Sequence, residues 1–401
     1  MFSKHYLVGG AAAVIAAAVL AACTSNKDLN IQTPIDPLFT SYASLGNSLT
    51  AGFQSAGIND STQKQSYAVQ FAQAVNTRFA LPDLAMPGCP APIDNFQTQT
   101  RVGGATSAQC FLREPTSVTY AINNVAVPGA ASIDPVSLTT ANSNALTTFI
   151  LGGQTQATRA SQVVPTFVSM WIGNNDALSA ALSGVLVPTA GVSPGLTDSI
   201  TFRTRYKADV TALQGISSIK GGVLFAVVDV VNAPLMFHSN LLFVPAVKAG
   251  FDFVAGAVTA VDPSCASNVA LIDFQLAAAI KAGAHPPAIF CGPAPYPVGV
   301  YVLDSIEVGI VEQTVGAYNR YIKAKADSIG YAYVDINPTL LQLKASGAIP
   351  PFPVITSPDT TFGSYVSLDG IHSTFKAHKL IANLMIDSVN AKYGTTISTI
   401  P

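Results

Sequence analysis

Short apolar runs that end at glycine alternate along this chain with amphipathic helical patterns, and that alternation leaves few folds open. Phe39 to Leu45 reads as a strand stopped by Gly46. Ser66 caps a helix in which Tyr67, Phe71, Val75 and Phe79 recur every four residues and share one face. Ile122 to Val127 is a second short strand, ended by Pro128-Gly129, and Thr166 to Ile172 is a third, ended by Gly173. Gly222 to Val231 is an apolar run interrupted only by Asp229, the pattern of a strand buried on both faces. A long helical pattern through Ile310, Val315, Tyr318, Ile322 and Ala326 leads to a strand from Tyr331 to Ile336. A terminal helix then starts at Ser373 or Thr374, with Ala377, Ile381 and Leu384 inward. Strand, helix, strand repetition means a parallel sheet covered on both sides. The expected fold is therefore α/β, a three-layer α/β/α sandwich around a central parallel sheet of about five strands.

Hydrophobic residues make up 49% of the 401, enough to bury a large core, while only 10% are charged and the formal net charge is −2. Nucleic-acid affinity is built on clustered excess cations, so no nucleic-acid partner is expected. A surface carried by Ser, Thr, Asn and Gln suits an exported protein. The N-terminus agrees. Lys4 and His5 precede an uncharged apolar run, Tyr6 to Ala22, that is barely long enough to span a bilayer. The run ends in Leu20-Ala21-Ala22-Cys23, which resembles the lipobox of bacterial lipoproteins. That resemblance implies a signal peptide over 1–22, lipid modification of Cys23, a tether over 23–37 and anchoring to a membrane. Ser25 implies sorting to the outer membrane or cell surface. A plain secretory signal, with Cys23 incidental, is the alternative. The remainder, 38–401, reads as a single domain with an apolar insertion at about 232–300.

Four cysteines follow Cys23: Cys89, Cys110, Cys265 and Cys291. An even number in an exported protein points to disulfides, with three connectivities open. The sequence-local pairing, Cys89–Cys110 and Cys265–Cys291, closes short loops, each worth about 3 kcal/mol in the chain-entropy model. Buried free thiols are the alternative. No Cys-x-x-Cys or Cys/His cluster points to zinc, so neither a metal nor a cofactor is expected.

Ligands of open parallel sheets bind beyond the carboxyl ends of the strands. Four such places carry reactive residue types: Gly46-Asn47-Ser48-Leu49, Pro128-Gly129, Gly173-Asn174-Asn175-Asp176 and Asp369-Gly370-Ile371-His372. Together they hold the inventory of acyl transfer. A serine hydroxyl is a poor nucleophile until an imidazole accepts its proton, and a carboxylate fixes that imidazole's tautomer. Ser48, His372 and Asp369 are these three groups. The oxyanion of a tetrahedral intermediate needs preorganised donors, and the N–H groups of Ser48 and Gly129 with the Asn175 amide are suitable. Taken singly, each block has a bland reading, as a helix cap or a turn.

In this order the four blocks resemble the SGNH hydrolases, also called the GDSL esterase/lipase family. The family carries Gly-Asp-Ser near the start, an isolated Gly, Gly-x-Asn-Asp, and Asp-x-x-His near the end. The resemblance covers roughly residues 38 to 393 and implies the flavodoxin-like sandwich of that family. It makes Ser48 nucleophile and oxyanion donor, Gly129 and Asn175 the other donors, His372 the base and Asp369 its orienting carboxylate. Asn47 stands where the family's motif has Asp, which removes a charge beside the nucleophile and leaves the triad intact.

The implied activity is hydrolysis of carboxylic esters through an acyl-enzyme, on a small-molecule or lipid ester. The insertion holds Leu235, Met236, Phe237, Leu241, Leu242, Phe243, Phe251 and Phe253, readable as an acyl-binding wall or as extra core. The single tryptophan, Trp171, lies inside a strand run, which favours acyl esters over sugar esters. A lipoprotein that binds a hydrophobic ligand without turnover, or a carbohydrate-ester deacetylase of the same fold, are the other readings.

Overall fold

The structure is a computed structural model that describes residues 33–113, 120–138, 145–190, 193–293, 301–356 and 359–401. The expected signal peptide, Cys23 and most of the tether lie outside the described residues. Four strands, β1 (Tyr42–Gly46), β2 (Phe167–Trp171), β3 (Gly221–Phe225) and β4 (Ala332–Val334), pair side by side in chain order, every pair parallel. The expected strand at Ile122 to Val127 runs along the free edge of β1. It is held there by Ser44 N–H to Asn123 O (2.8 Å), Val125 N–H to Ser44 O (3.0 Å) and Val127 N–H to Gly46 O (3.1 Å).

Successive side chains of a strand point to opposite faces, and here both faces are buried. Tyr42, Phe167, Trp171, Val223, Phe225 and Val334 join one core. Ala43, Leu45, Val168, Met170 and Leu224 join another. The helices that concern the site are α1 (Ser48–Ala51), α2 (Tyr67–Ala74), α3 (Asn175–Ser183), α4 (Ser199–Gln214), α5 (Ser305–Ile329), α6 (Asn337–Ala345) and α7 (Phe375–Tyr393). α2 and α7 cover the first face and α4 and α5 the second, which makes the three-layer sandwich.

Several boundaries differ from the sequence reading for identifiable reasons. β3 ends at Phe225, well short of Val231, because its neighbours stop there. Beyond it, side-chain amides replace strand partners: Val227 N–H donates to Asn319 Oδ1 (2.7 Å) and Val228 N–H to Asn174 Oδ1 (3.1 Å). Ala226, Val227, Val230 and Val231 stay buried beyond the strand, while Val228 and the charged Asp229 are partly exposed. In α5, Ile310 is 44% exposed, and Val308 and Val311 turn inward instead. The buried stripe is Val311, Val315, Tyr318, Ile322 and Ala326, and a position one residue off such a stripe rotates by about 100°. Phe79 falls beyond the end of α2 yet stacks on Tyr42 at 5.0 Å, so it serves the same core from a loop.

The insertion builds a core of its own. Met236–His238, Leu271–Asp273 and Val302–Leu303 form a small antiparallel sheet. Leu235, Phe237, Leu242 and Phe251 are buried with Phe274, Ile93, Phe96 and Phe362. Phe243 and Phe253 face solvent. Of the two readings of this segment, extra core is the one the packing bears out. Both disulfides take the sequence-local pairing, Cys89–Cys110 and Cys265–Cys291, and the second stitches the insertion core. Among the described residues, no helix is long and apolar enough to cross a membrane.

Candidate active site

Strand β1 delivers the nucleophile turn. Gly46, its last residue, has φ of 154°, and a Cβ there would stand 2.5 Å from both Thr50 Oγ1 and Trp171 O. Only glycine fits, and the chain can then reverse tightly into α1. Asn47 caps that helix, its Oδ1 accepting Leu49 N–H at 3.1 Å. The cap an aspartate would make is therefore kept, but the buried Asn47 Nδ2 has no partner among the described residues. Ser48 opens α1, where first-turn N–H groups have no intrahelical acceptor.

The structure brings the three distant triad candidates together. Ser48 Oγ lies 2.9 Å from His372 Nε2, and His372 Nδ1 lies 2.8 Å from Asp369 Oδ2. Phe53 packs against the imidazole, ring centroids 4.9 Å apart. Asp369 Oδ1 also accepts the N–H groups of Ile371 (2.9 Å) and His372 (2.8 Å), and Oδ2 accepts Ala56 N–H (2.6 Å). Burial pushes this carboxyl up, but the adjacent His372 and the backbone donors outweigh burial and hold it well below the usual carboxylate range. It is therefore ionised wherever the imidazole is usable as a base. Two further contacts tie the loops together: Ser55 N–H to Ser367 Oγ (2.8 Å) and Leu368 N–H to Ser55 Oγ (3.2 Å).

The oxyanion candidates sit on two stapled turns. Gly129, at φ of 85°, takes a left-handed conformation that brings bare backbone to the end of the β1 edge. Asn175 donates from Nδ2 to Ala130 O at 2.7 Å, which places its amide beside the Gly129 turn with a second N–H to spare. Asp176 completes the staple, its two carboxylate oxygens accepting Ser132 N–H and Ser132 O–H, each at 2.7 Å. Asn174 and Asn175 line the same cleft as Ser48 and His372. Among the described residues, no group of three or more His, Cys, Asp or Glu is placed to hold a metal.

Sequence reasoning missed Gln156. Fully buried, it grips Gly46 with both ends of its amide, Oε1 accepting Gly46 N–H (2.9 Å) and Nε2 donating to Gly46 O (3.0 Å). No local signal marks it, since a polar residue in the first turn of a helix is ordinary. Gln156→Ala takes away the side-chain acceptor of Gly46 N–H and leaves Gly46 O to Val127 N–H, two residues before the nucleophile. It is expected to lower kcat about tenfold or more, with KM little changed, and to cost about 1–3 kcal/mol of stability. Steady-state kinetics and a denaturant titration read both effects.

No protein-family model and no curated protein matches the chain. Among solved structures it is similar to Axe2, an acetylxylan esterase from Geobacillus stearothermophilus, at 10% identity and a TM-score of 0.36, over 87% of this chain and 93% of that one. It is also similar to a protein described as a GDSL-like lipase from Parabacteroides merdae, at 10% identity and a TM-score of 0.37, over 88% and 95% of the two chains. At these scores neither likeness bears on activity. The α/β/α sandwich stands on the chain's own parallel sheet and its two covered faces.

Proposed function

We propose that this chain is an SGNH-type serine hydrolase of carboxylic esters. The observation that carries the reading is the unbroken line from Ser48 Oγ to His372 Nε2 (2.9 Å) and from His372 Nδ1 to Asp369 Oδ2 (2.8 Å). In the reaction Ser48 Oγ attacks the ester carbonyl carbon as its proton passes to His372 Nε2. Negative charge gathers on the carbonyl oxygen, where the Ser48 and Gly129 N–H groups and the Asn175 amide receive it. Collapse expels the alcohol, which takes the proton from His372 and leaves an acyl group on Ser48. Water, deprotonated by the same imidazole, then releases the acid. Asp369 keeps Nδ1 protonated throughout, so that Nε2 is the nitrogen that takes up and gives back each proton, and stabilises the imidazolium that forms in between. The purified chain is expected to hydrolyse p-nitrophenyl butyrate and to lose that activity with an alkyl fluorophosphonate. Folded protein that turns over no ester would favour a non-catalytic binder.

The same reading takes the chain to be an exported lipoprotein anchored through Cys23. Both disulfides support an oxidising compartment. Growth of a bacterial host expressing the gene on a labelled fatty acid is expected to label the protein, and Cys23→Ala to abolish labelling. Label retained by Cys23→Ala would overturn the assignment.

A further inference from the structure

We propose that the ester hydrolysed here carries a medium- or long-chain acyl group, whose tail lies in an apolar cleft between α6 and α7. This rests on the reading of Ser48 as the acyl-transfer nucleophile. The cleft begins at Ser48, His372 and the two asparagines, Asn174 and Asn175, and beyond them its walls are mostly carbon. Leu340 and Leu343 of α6 line it, as do Leu380 and Leu384 of α7, with Val230 and Ile336 from the segments that follow β3 and β4. Thr339, Tyr365 and Ser373 are its other polar lining residues.

The packing of α6 is the telling feature. The helix has no buried residue, and its Leu340 and Leu343, one turn apart, pack against the insertion core yet stay partly exposed. Leu380 and Leu384, four apart on α7, are partly exposed in the same way. Two rows of leucine thus face an unfilled space that opens onto the nucleophile. Apolar surface left open in a concavity beside polar, convergent groups is the usual form of a ligand site. The shape matches an amphipathic ester, with its carbonyl among the donors and its tail against the leucines. A two-carbon acyl group would leave both rows uncovered. A sugar would find no exposed indole, since Trp171 is fully buried and donates Nε1–H to Ala226 O at 2.9 Å.

Tail burial that is realised in the transition state raises kcat/KM by about fourfold per methylene. Assayed on p-nitrophenyl acetate, butyrate, octanoate and dodecanoate, the protein is expected to favour octanoate over acetate by at least about 100-fold. Leu340→Trp, which fills the cleft, is expected to cut the octanoate-to-acetate ratio at least about tenfold. Leu384→Trp tests the same space from the other helix. Leu341→Trp, on a side chain 50% exposed outside the cleft, is expected to leave the ratio unchanged. A flat or acetate-favouring series from protein whose Ser48 still reacts with a fluorophosphonate would overturn the acyl cleft and leave the esterase reading standing. Failure to react and to turn over any ester would overturn both.

Discussion

Ser48→Ala lowers kcat on a p-nitrophenyl ester by about 10⁴-fold or more while the protein keeps its fold. Removal of the hydroxyl deletes the only atom that becomes bonded to the acyl group, and the oxyanion donors alone sustain little turnover. The fold tolerates the change because the hydroxyl's partner is His372 rather than the scaffold. Asn47 still caps α1, and Gly52 and Phe53 still donate their N–H groups to Ser48 O at 3.1 and 2.9 Å. The expected change in stability is below about 1 kcal/mol. A melt followed by circular dichroism, run beside the assay, separates lost chemistry from lost structure.

Asp369→Asn has the second-largest expected effect, a fall in kcat of about 10³–10⁴-fold. A carboxamide turned toward His372 donates to Nδ1, which drives the ring proton to Nε2 and leaves Ser48 facing a donor instead of a base. Unlike the serine change, this one also weakens the fold. The carboxylate gathers donors from Ala56, Ile371 and His372, and the substitution costs about 2–4 kcal/mol at pH 7. The pH dependence follows from the depressed carboxyl. The folded group ionises below the value of about 3.9 that it has in the unfolded chain. Its stabilisation is therefore present above that pH and is lost as pH falls through the lower folded value. The stability gap between the natural protein and Asp369→Asn should narrow from pH 7 toward pH 2. Urea titrations at several pH values measure it, and a gap independent of pH would contradict the assigned ionisation.

Chemistry was more legible in this chain than packing. Serine, histidine and aspartate sit beside strand ends and helix starts, where glycine and capping residues leave local marks, so Ser48, His372 and Asp369 could be read without coordinates. Gln156 could not, because its role exists only through contact with a residue far away in the chain. The insertion was ambiguous for a related reason: Phe237 and Phe251 have the same composition whether they wall a cleft or fill a core. Their burial against Phe96 and Phe362 depends on segments from either end of the chain. The carbon-lined cleft was hidden as well, since no pattern is read over the helix that carries Leu340, and Leu384 is read only as an inward position of the terminal helix. The space emerges only where residues of α6 and α7, distant in the chain, come to line one cleft.

Peptide mapping after treatment with an alkyl fluorophosphonate tests the central claim most directly. The account predicts one adduct per chain, on the peptide that contains Ser48, formed much more slowly in His372→Ala. An unmodified Ser48 peptide from folded protein, or an adduct that forms equally fast without His372, would contradict it.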